Sequence, residues 1–218
     1  MQCQNIQSIN GAENVGGIVG LENGGTISSC SNSGKIVGAG NLGRSYWVMW
    51  SEYTGTGGIA GKLYHCKVEK SYNTGNIESN MNVGGIAGLN WSSKVDYSYN
   101  SGNVTATKIL GKVGGICGHG SNVDITACYN LGNISGDADV AGIMGSCVDN
   151  TIYEKIEKKK ITNKYLGEFD ISYIGTGKTH NYFRYCYNKG KTTGTFLNKG
   201  AGILKTRMLR RYKGKRSY

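Results

Sequence analysis

Residues 83–104 read VGGIAGLNWSSKVDYSYNSGNV, and much of the chain repeats this stretch. The first half, V-G-G-I-x-G, recurs with small changes at 15–20, 56–61, 113–118 and 140–145, and a remnant lies at 200–204. In the second half, an asparagine follows the last glycine by twelve residues, at Asn32, Asn73, Asn100 and Asn130. An internal repeat of this length indicates one small supersecondary unit stacked on copies of itself.

The basic period is 27 residues, and glycine and asparagine divide it into short pieces. Helical repeats need amphipathic stretches of about 10–15 residues without glycine, and no unit contains one. We therefore predict an all-β chain, a parallel β-helix or β-solenoid with coils of about 27 residues. Three aliphatic columns should point inward, and they are Ile18, Ile59, Ile86, Ile116 and Ile143; Ile27, Val68, Val95 and Ile125; and Ile36, Ile77, Val104 and Ile134.

Length variation follows a pattern as well. From the asparagine to the second glycine of the next G-G pair the count is 12, 15 or 26 residues, so we expect loop insertions on one edge of the solenoid. The predicted organisation is β-solenoid repeats at 1–147, an insertion at 148–184, a degenerate final repeat at 185–204 and a basic tail at 205–218. Because Cys3-Gln4-Asn5 matches Cys128-Tyr129-Asn130, the chain should open halfway through a unit, as a piece of a longer protein would.

The residues around the asparagine predict a corner. The asparagine amides should form a turn ladder in which each bonds the same backbone groups and its neighbours above and below. The small residue two positions earlier suits a buried corner, and the cysteines there should be free and buried. The intervening tyrosines should point outward and stack as an exposed ladder, and these are Tyr72, Tyr99, Tyr129 and Tyr187. Such a ladder could contact a sugar or a protein, although cross-strand stabilisation is the commoner role.

No constellation of catalytic or metal-binding residues is visible. The seven cysteines follow the repeat, without C-x-x-C or H-x-x-x-H spacing, and His65, His119 and His180 stand apart. Neither H-E-x-x-H nor a G-x-S-x-G elbow occurs. Gly175-Thr176-Gly177-Lys178-Thr179 resembles the end of a phosphate-binding loop but has no helix signal after it. We expect no enzyme activity, no cofactor and no metal, and we interpret Asp137 and Asp139 as solvated loop carboxylates.

The net charge of +11 is concentrated in one part of the chain. Residues 1–150 carry 8 Lys and Arg against 10 Asp and Glu, whereas residues 151–218 carry 17 against 4. A nucleic-acid-binding protein would spread its basic residues along a face and interleave aromatic residues. We therefore expect no nucleic-acid partner. No apolar run approaches 18 residues and no signal peptide opens the chain, so no membrane span is predicted.

The repeated G-G-I-x-G followed by I/V and then S/C-Y-N-x-G-x-I/V resembles the GLUG repeat of bacterial surface proteins. The resemblance covers about 3–147, resumes at 185–190 and fades at Ile203. Proteins with this repeat are large and secreted or wall-attached, and they include adhesin-like proteins and some immunoglobulin A metallopeptidases, in which the repeats lie outside the catalytic domain. The resemblance implies an extracellular or cell-surface location and a host surface protein or glycan as partner.

Together these features favour a non-catalytic repeat segment that acts as a stalk and display platform for adhesion. Two alternatives remain, a noncatalytic arm of a secreted metallopeptidase and a carbohydrate-binding or carbohydrate-active β-helix. The candidate binding residues lie in the insertion at 39–56, because loops on a rigid scaffold collect exposed aromatic side chains that contribute to binding. They are Tyr46, Trp47, Trp50 and Tyr53. The insertion at 148–184 adds further aromatic residues that we expect to be displayed, and these are Tyr153, Tyr165, Phe169, Tyr173, Tyr182 and Phe183. Alternatively, Trp47 and Trp50 fold back over an apolar face as a local cap.

Overall fold

The computed structural model describes residues 2–39, 54–108, 111–147 and 181–194, together with the backbone of the strands Glu157–Asn163 and Gly167–Tyr173. All the regular secondary structure assigned in these residues is β-strand. Strands from successive coils pair in parallel, in register with the sequence repeat. The prediction of an all-β parallel β-helix is confirmed. Glu157–Asn163 and Gly167–Tyr173 pair with each other as an antiparallel hairpin.

Each coil contributes strands to four parallel sheets. The first sheet carries the asparagine and consists of Gln4–Asn5, Ser31–Asn32, Tyr72–Asn73, Tyr99–Asn100, Tyr129–Asn130 and Tyr187–Asn188. The second consists of Ile9–Gly11, Ile36–Gly38, Ile77–Ser79, Val104–Ala106, Ile134–Gly136 and Thr192–Gly194. The third consists of Val15–Gly16, Thr56–Gly57, Val83–Gly84, Val113–Gly114 and Val140–Ala141. The fourth consists of Val19–Ser28, Ala60–Glu69, Ala87–Trp91, Lys94–Asp96, Cys117–Ser121, Asp124–Thr126, Met144–Cys147 and Tyr182–Arg184.

The predicted aliphatic columns form the core. Ile59, Ile86, Ile116 and Ile143 are fully buried, and they pack in one cluster with Ile27, Val68, Val95 and Ile125. A second cluster holds the column of Ile36, Ile77, Val104 and Ile134 together with a fourth inward column, Val15, Val83, Val113 and Val140. In the first described coil, Ile18 is half-buried and packs against the first cluster. The core is therefore continuous from coil to coil, and each aliphatic residue is covered by its neighbours above and below.

The asparagine ladder also forms as predicted. The side-chain Nδ2 of Asn73 donates to the backbone oxygen of Gly75 and to Oδ1 of Asn100, both at 2.7 Å. The same amide-to-amide bond, also at 2.7 Å, joins the other members in turn, and the complete series is Asn5, Asn32, Asn73, Asn100, Asn130 and Asn188. Asn32, Asn73, Asn100 and Asn130 are fully buried. The ladder therefore satisfies polar groups inside the solenoid, where an unpaired group is costly.

The second glycine of the G-G pair lies opposite this ladder. A Cβ on Gly85 would overlap the Asn100 side chain and the backbone oxygen of Gly115. Gly58 and Gly115 stand in the same relation to Asn73 and Asn130. The two halves of the repeat thus meet across the interior, where glycine makes room for the amide.

The insertions leave the coils at two corners. The segment between Ile36–Gly38 and Thr56–Gly57 and the shorter one between Val104–Ala106 and Val113–Gly114 connect the second sheet to the third. The third insertion leaves after Met144–Cys147, within the fourth sheet. The expectation of insertions on one edge therefore holds for the first two, which lie between the asparagine and the next G-G pair, whereas the third lies between a G-G pair and the next asparagine. Pairing with the solenoid resumes at Tyr182, inside the range assigned to the insertion.

Two polar residues lie deeper than the sequence suggested. Asp139 is 3% exposed, so the expectation of a solvated loop carboxylate is wrong for this residue. It directly precedes Val140, and the strand that begins there is buried in the third sheet. His119 is 1% exposed, and its Nδ1–H donates to the backbone oxygen of Ser146 at 3.1 Å. The equivalent positions in the adjacent coils are Leu89 and Ser146, so His119 stands in a buried column of mixed residue types.

All seven cysteines are free thiols. Cys30 and Cys128, at the corner position before the asparagine, are buried, whereas Cys3 and Cys186 at the ends of that column are half-buried. Burial raises the pKa of the Cys117 thiol to about 12, so this group stays protonated near neutral pH.

Replacing a residue in the middle of the first aliphatic column should destabilise the stack on both sides. Ile86 is fully buried between Ile59 and Ile116, and Ile86→Ala should lower the free energy of unfolding by about 2–5 kcal/mol. Ile6→Ala is the matched control because Ile6 is 64% exposed, and its effect should stay within about 0.5 kcal/mol. Denaturant titration measures both. Equal effects of the two substitutions would contradict the assignment of the core column.

A second prediction concerns acid stability. Burial, followed by the charge of Lys112, lowers the pKa of His119 from 6.5 to about 3, although the bond to Ser146 opposes this. Below pH 6.5 this histidine therefore binds a proton in the unfolded chain but stays neutral in the folded chain. As a result, the free energy of unfolding decreases as the pH falls from 6.5 towards 3. The full shift corresponds to about 5 kcal/mol. His119→Leu should flatten this part of the pH profile, since Leu89 occupies the equivalent position.

The control for His119→Leu is His65→Gln, because His65 is exposed. The measurement is the free energy of unfolding between pH 7 and pH 4 for the wild type and both variants. Parallel pH profiles for the wild type and His119→Leu would contradict the assignment of His119 as a neutral buried imidazole.

Candidate functional site

The outward side of the first sheet carries the predicted tyrosine ladder. In each two-residue strand the asparagine points inward, so the tyrosine before it points outward. The rings of Tyr72 and Tyr99 stack with centroids 5.0 Å apart and planes 3° from parallel. Tyr99 and Tyr129 are 4.9 Å apart, and Tyr129 and Tyr187 are 5.0 Å apart. Four rings therefore form one continuous stack along the solenoid, and each contact contributes about 0.5–1.5 kcal/mol beyond area burial.

The corner next to this ladder has a backbone conformation that the sequence analysis missed. Five equivalent residues adopt positive φ, between 48° and 55°, and they are Ser29, Lys70, Tyr97, Ala127 and Tyr185. None is glycine or asparagine, the residues that normally signal such a turn. The corner turns the two most exposed tyrosines outward, since Tyr97 is 65% exposed and Tyr185 is 87% exposed. Two of the five corner residues are thus exposed tyrosines, and Ala127 stands between them in the column.

Beyond the corner, the outer side of the fourth sheet is a strip of alternating charges. Lys67 Nζ lies 2.5 Å from Glu69 Oε2. Asp124 Oδ2 lies 3.3 Å from Lys94 Nζ and 2.7 Å from Arg184 Nη2. A hydrogen bond from Lys67 holds the pKa of Glu69 below its ordinary value. Partial burial alone would raise the pKa of Asp124, but hydrogen bonds from Thr126, Arg184 and Lys94 lower it. Both carboxylates are therefore ionised and paired at neutral pH.

Asp96 lies between these pairs and differs from them. Burial raises its pKa, and the nearby charge of Lys94 opposes that shift. Asp96 is in register with Glu69 on one side and with Thr126 on the other, so the acids do not continue as a column through three coils. The strip is a set of ion pairs in which positive and negative charges balance. Each such pair contributes little to folding stability at an exposed surface.

The predicted binding residues lie outside the described part of the chain. Tyr46, Trp47, Trp50 and Tyr53 fall between residues 39 and 54, and the structure describes the corner from which their segment departs. At that corner the Thr56 hydroxyl donates to the Ser79 hydroxyl at 3.0 Å. In the other insertion, Phe183 is not a displayed aromatic as proposed, because it pairs in the fourth sheet and packs against the core.

The described residues contain no group of three or more His, Cys, Asp or Glu side chains placed to hold a metal ion. In the same residues no helix could cross a lipid bilayer. What the described surface offers is a row of stacked aromatic rings, a flanking set of paired charges and a groove at one end of the row. This arrangement suits non-covalent recognition.

Comparison with known proteins agrees with the repeat and the fold. The family model for the GLUG motif matches residues 11–37 and 79–105. A crystal structure of a candidate immunoglobulin A1 protease from Bacteroides ovatus is similar, with a TM-score of 0.53 and 17% sequence identity over 93% of this chain and 67% of that chain. At this identity the similarity concerns the fold. No curated protein matches the sequence significantly. Two segments of this chain, 11–37 and 79–105, thus match the GLUG motif, and both lie in coils of the parallel β-helix.

Proposed function

We propose that this chain is a non-catalytic repeat segment of a bacterial cell-surface or secreted protein, in which the β-helix is a rigid stalk that displays binding loops for adhesion. The observation that carries the proposal is the unbroken amide ladder from Asn5 to Asn188. A ladder that continues past every insertion gives a scaffold whose stiffness does not depend on the loops. Solenoids of this kind present extended surfaces to partners.

The loop with Tyr46, Trp47, Trp50 and Tyr53 is the proposed adhesive element. Aromatic side chains on a loop bury much area at little entropic cost, which makes them frequent anchors at interfaces. The partner would be a host surface protein or a glycan. An extracellular location follows from the same proposal, since a host-binding segment acts outside the cell.

A second candidate is a noncatalytic arm of a secreted metallopeptidase. It is supported by the similarity in fold to the candidate immunoglobulin A1 protease. In that case the β-helix would hold a catalytic domain encoded by flanking sequence, and the flanking sequence would contain H-E-x-x-H. A carbohydrate-active β-helix is less supported, because Glu69 and Asp124 are neutralised by adjacent cations.

The test removes the aromatic side chains from the loop. The triple variant Trp47→Ala, Trp50→Ala, Tyr53→Ala should abolish attachment of bead-immobilised protein to host epithelial cells or mucin glycans, because it deletes the anchors while leaving every coil intact. Attachment is counted by microscopy, and circular dichroism should retain the β-rich spectrum.

The matched control is Ile6→Ala with Leu131→Ala, which removes two exposed apolar side chains from the coils and should leave attachment unchanged. Loss of the β-rich spectrum together with attachment would show that the loop is a structural cap. Unchanged attachment of the folded triple variant would overturn the proposed role of these residues.

A further inference from the structure

The tyrosine ladder ends at Tyr72 although the sheet continues. Tyr72 is in register with Ser31, and Ser31 is in register with Gln4. At these two positions the column has no ring, so among the described residues one face of the Tyr72 ring has no aromatic neighbour. The spacing of about 5 Å between successive rings means that the next position in the stack could hold one six-membered ring.

A groove lies at this place. The residues that line it are Gln2, Cys3, Gln4, Ser29, Ser31, Lys70 and Tyr72. Tyr72 is 37% exposed and Lys70 is exposed, so both can reach a ligand. Two coil steps separate Tyr72 from Gln4, about 10 Å along the axis, which leaves room for a single ring between them.

The lining of the groove indicates what kind of ring it would take. One wall is the face of a tyrosine, which carries negative electrostatic potential and attracts the weakly positive C–H groups of a ring stacked on it. Apart from Cys3 and Lys70, the other lining residues are two glutamines and two serines, whose amides and hydroxyls donate and accept hydrogen bonds. An aromatic side chain from a partner would leave these polar groups without partners, whereas a sugar would satisfy them.

We propose that this groove, named here the ladder-end groove, binds one pyranose ring of a glycan. The sugar stacks on the free face of Tyr72 and bonds the Gln2 and Gln4 amides and the Ser31 hydroxyl. Lys70 favours a sugar that carries a carboxylate, through a charge-assisted hydrogen bond. The site is independent of the proposed adhesive loop, because it uses none of the residues 46–53.

The experiment titrates the full chain with methyl β-D-glucuronide and with methyl β-D-glucoside, which differ only at one carbon. Binding is followed by saturation transfer to the sugar and by shifts of the Gln4 and Lys70 backbone amides. Both sugars should bind, and the glucuronide should bind about two- to fivefold more tightly at low salt, as expected for an exposed ion pair. Lys70→Gln should remove this difference.

Ser31→Tyr is the most direct variant, because it places in the groove the ring that other coils carry at the same position. The four equivalent tyrosines show that the backbone accommodates this residue, so the variant should fold and lose at least tenfold in affinity for both sugars. Tyr72→Ala removes the stacking wall and should lose as much. Tyr129→Ala, which deletes a ring inside the stack, should change affinity less than twofold.

Several outcomes would overturn the proposal. One is full sugar binding by folded Ser31→Tyr and by Tyr72→Ala. Another is binding of p-cresol with no binding of either sugar, which would assign the groove to an aromatic side chain of a protein. If Ser31→Tyr loses its β-rich spectrum, the comparison of Tyr72→Ala with Tyr129→Ala decides. The proposed adhesive loop is tested separately, since sugar binding here should be unchanged in the Trp47→Ala, Trp50→Ala, Tyr53→Ala variant.

Discussion

Buried asparagine amides packed against glycine are the interaction on which this β-helix depends. Each amide nitrogen donates two hydrogen bonds, one to the backbone oxygen two residues further on and one to the amide oxygen of the next coil. Both bonds are short. A buried amide that loses a partner costs about 1–3 kcal/mol. Any coil that shifted its register would break the amide-to-amide bond and would move the amide away from the glycine that makes room for it. The ladder therefore specifies the register of the first sheet, and the aliphatic columns follow from it.

This constraint also explains where the chain can vary. Successive members of the ladder are 27, 41, 27, 30 and 58 residues apart, yet the bond between them has the same length. The extra residues leave at corners between strands, where they do not disturb the amides. Long surface insertions add little entropic cost when their ends are held together by the scaffold. A rigid ladder with variable corners is a structure in which recognition can change while the fold stays constant.

The sequence predicted the features that repeat in every coil. The aliphatic columns, the amide ladder and the stacked tyrosines were all visible, because each places one residue type at a constant spacing. Features that depend on one coil, or on a position with mixed residue types, were not visible in the sequence. The positive-φ corner is occupied by Lys70, Tyr97 and Ala127, which share no chemistry, and the burial of His119 and Asp139 depends on what covers each position. The groove beside Tyr72 could be located only from the strand register, which places Ser31 and Gln4 in the same column as Tyr72.

The most direct test of the central claim compares two asparagines three residues apart. Asn100 belongs to the buried ladder, whereas Asn103 is exposed and accepts a bond from the backbone amide of Asn133. Denaturant unfolding of Asn100→Ala and Asn103→Ala measures what each side chain contributes. The account predicts that Asn100→Ala lowers the free energy of unfolding by at least about 2 kcal/mol, since it leaves buried partners unpaired, and that Asn103→Ala lowers it by less than about 0.5 kcal/mol. Equal losses for the two variants, or a negligible loss for Asn100→Ala, would contradict it.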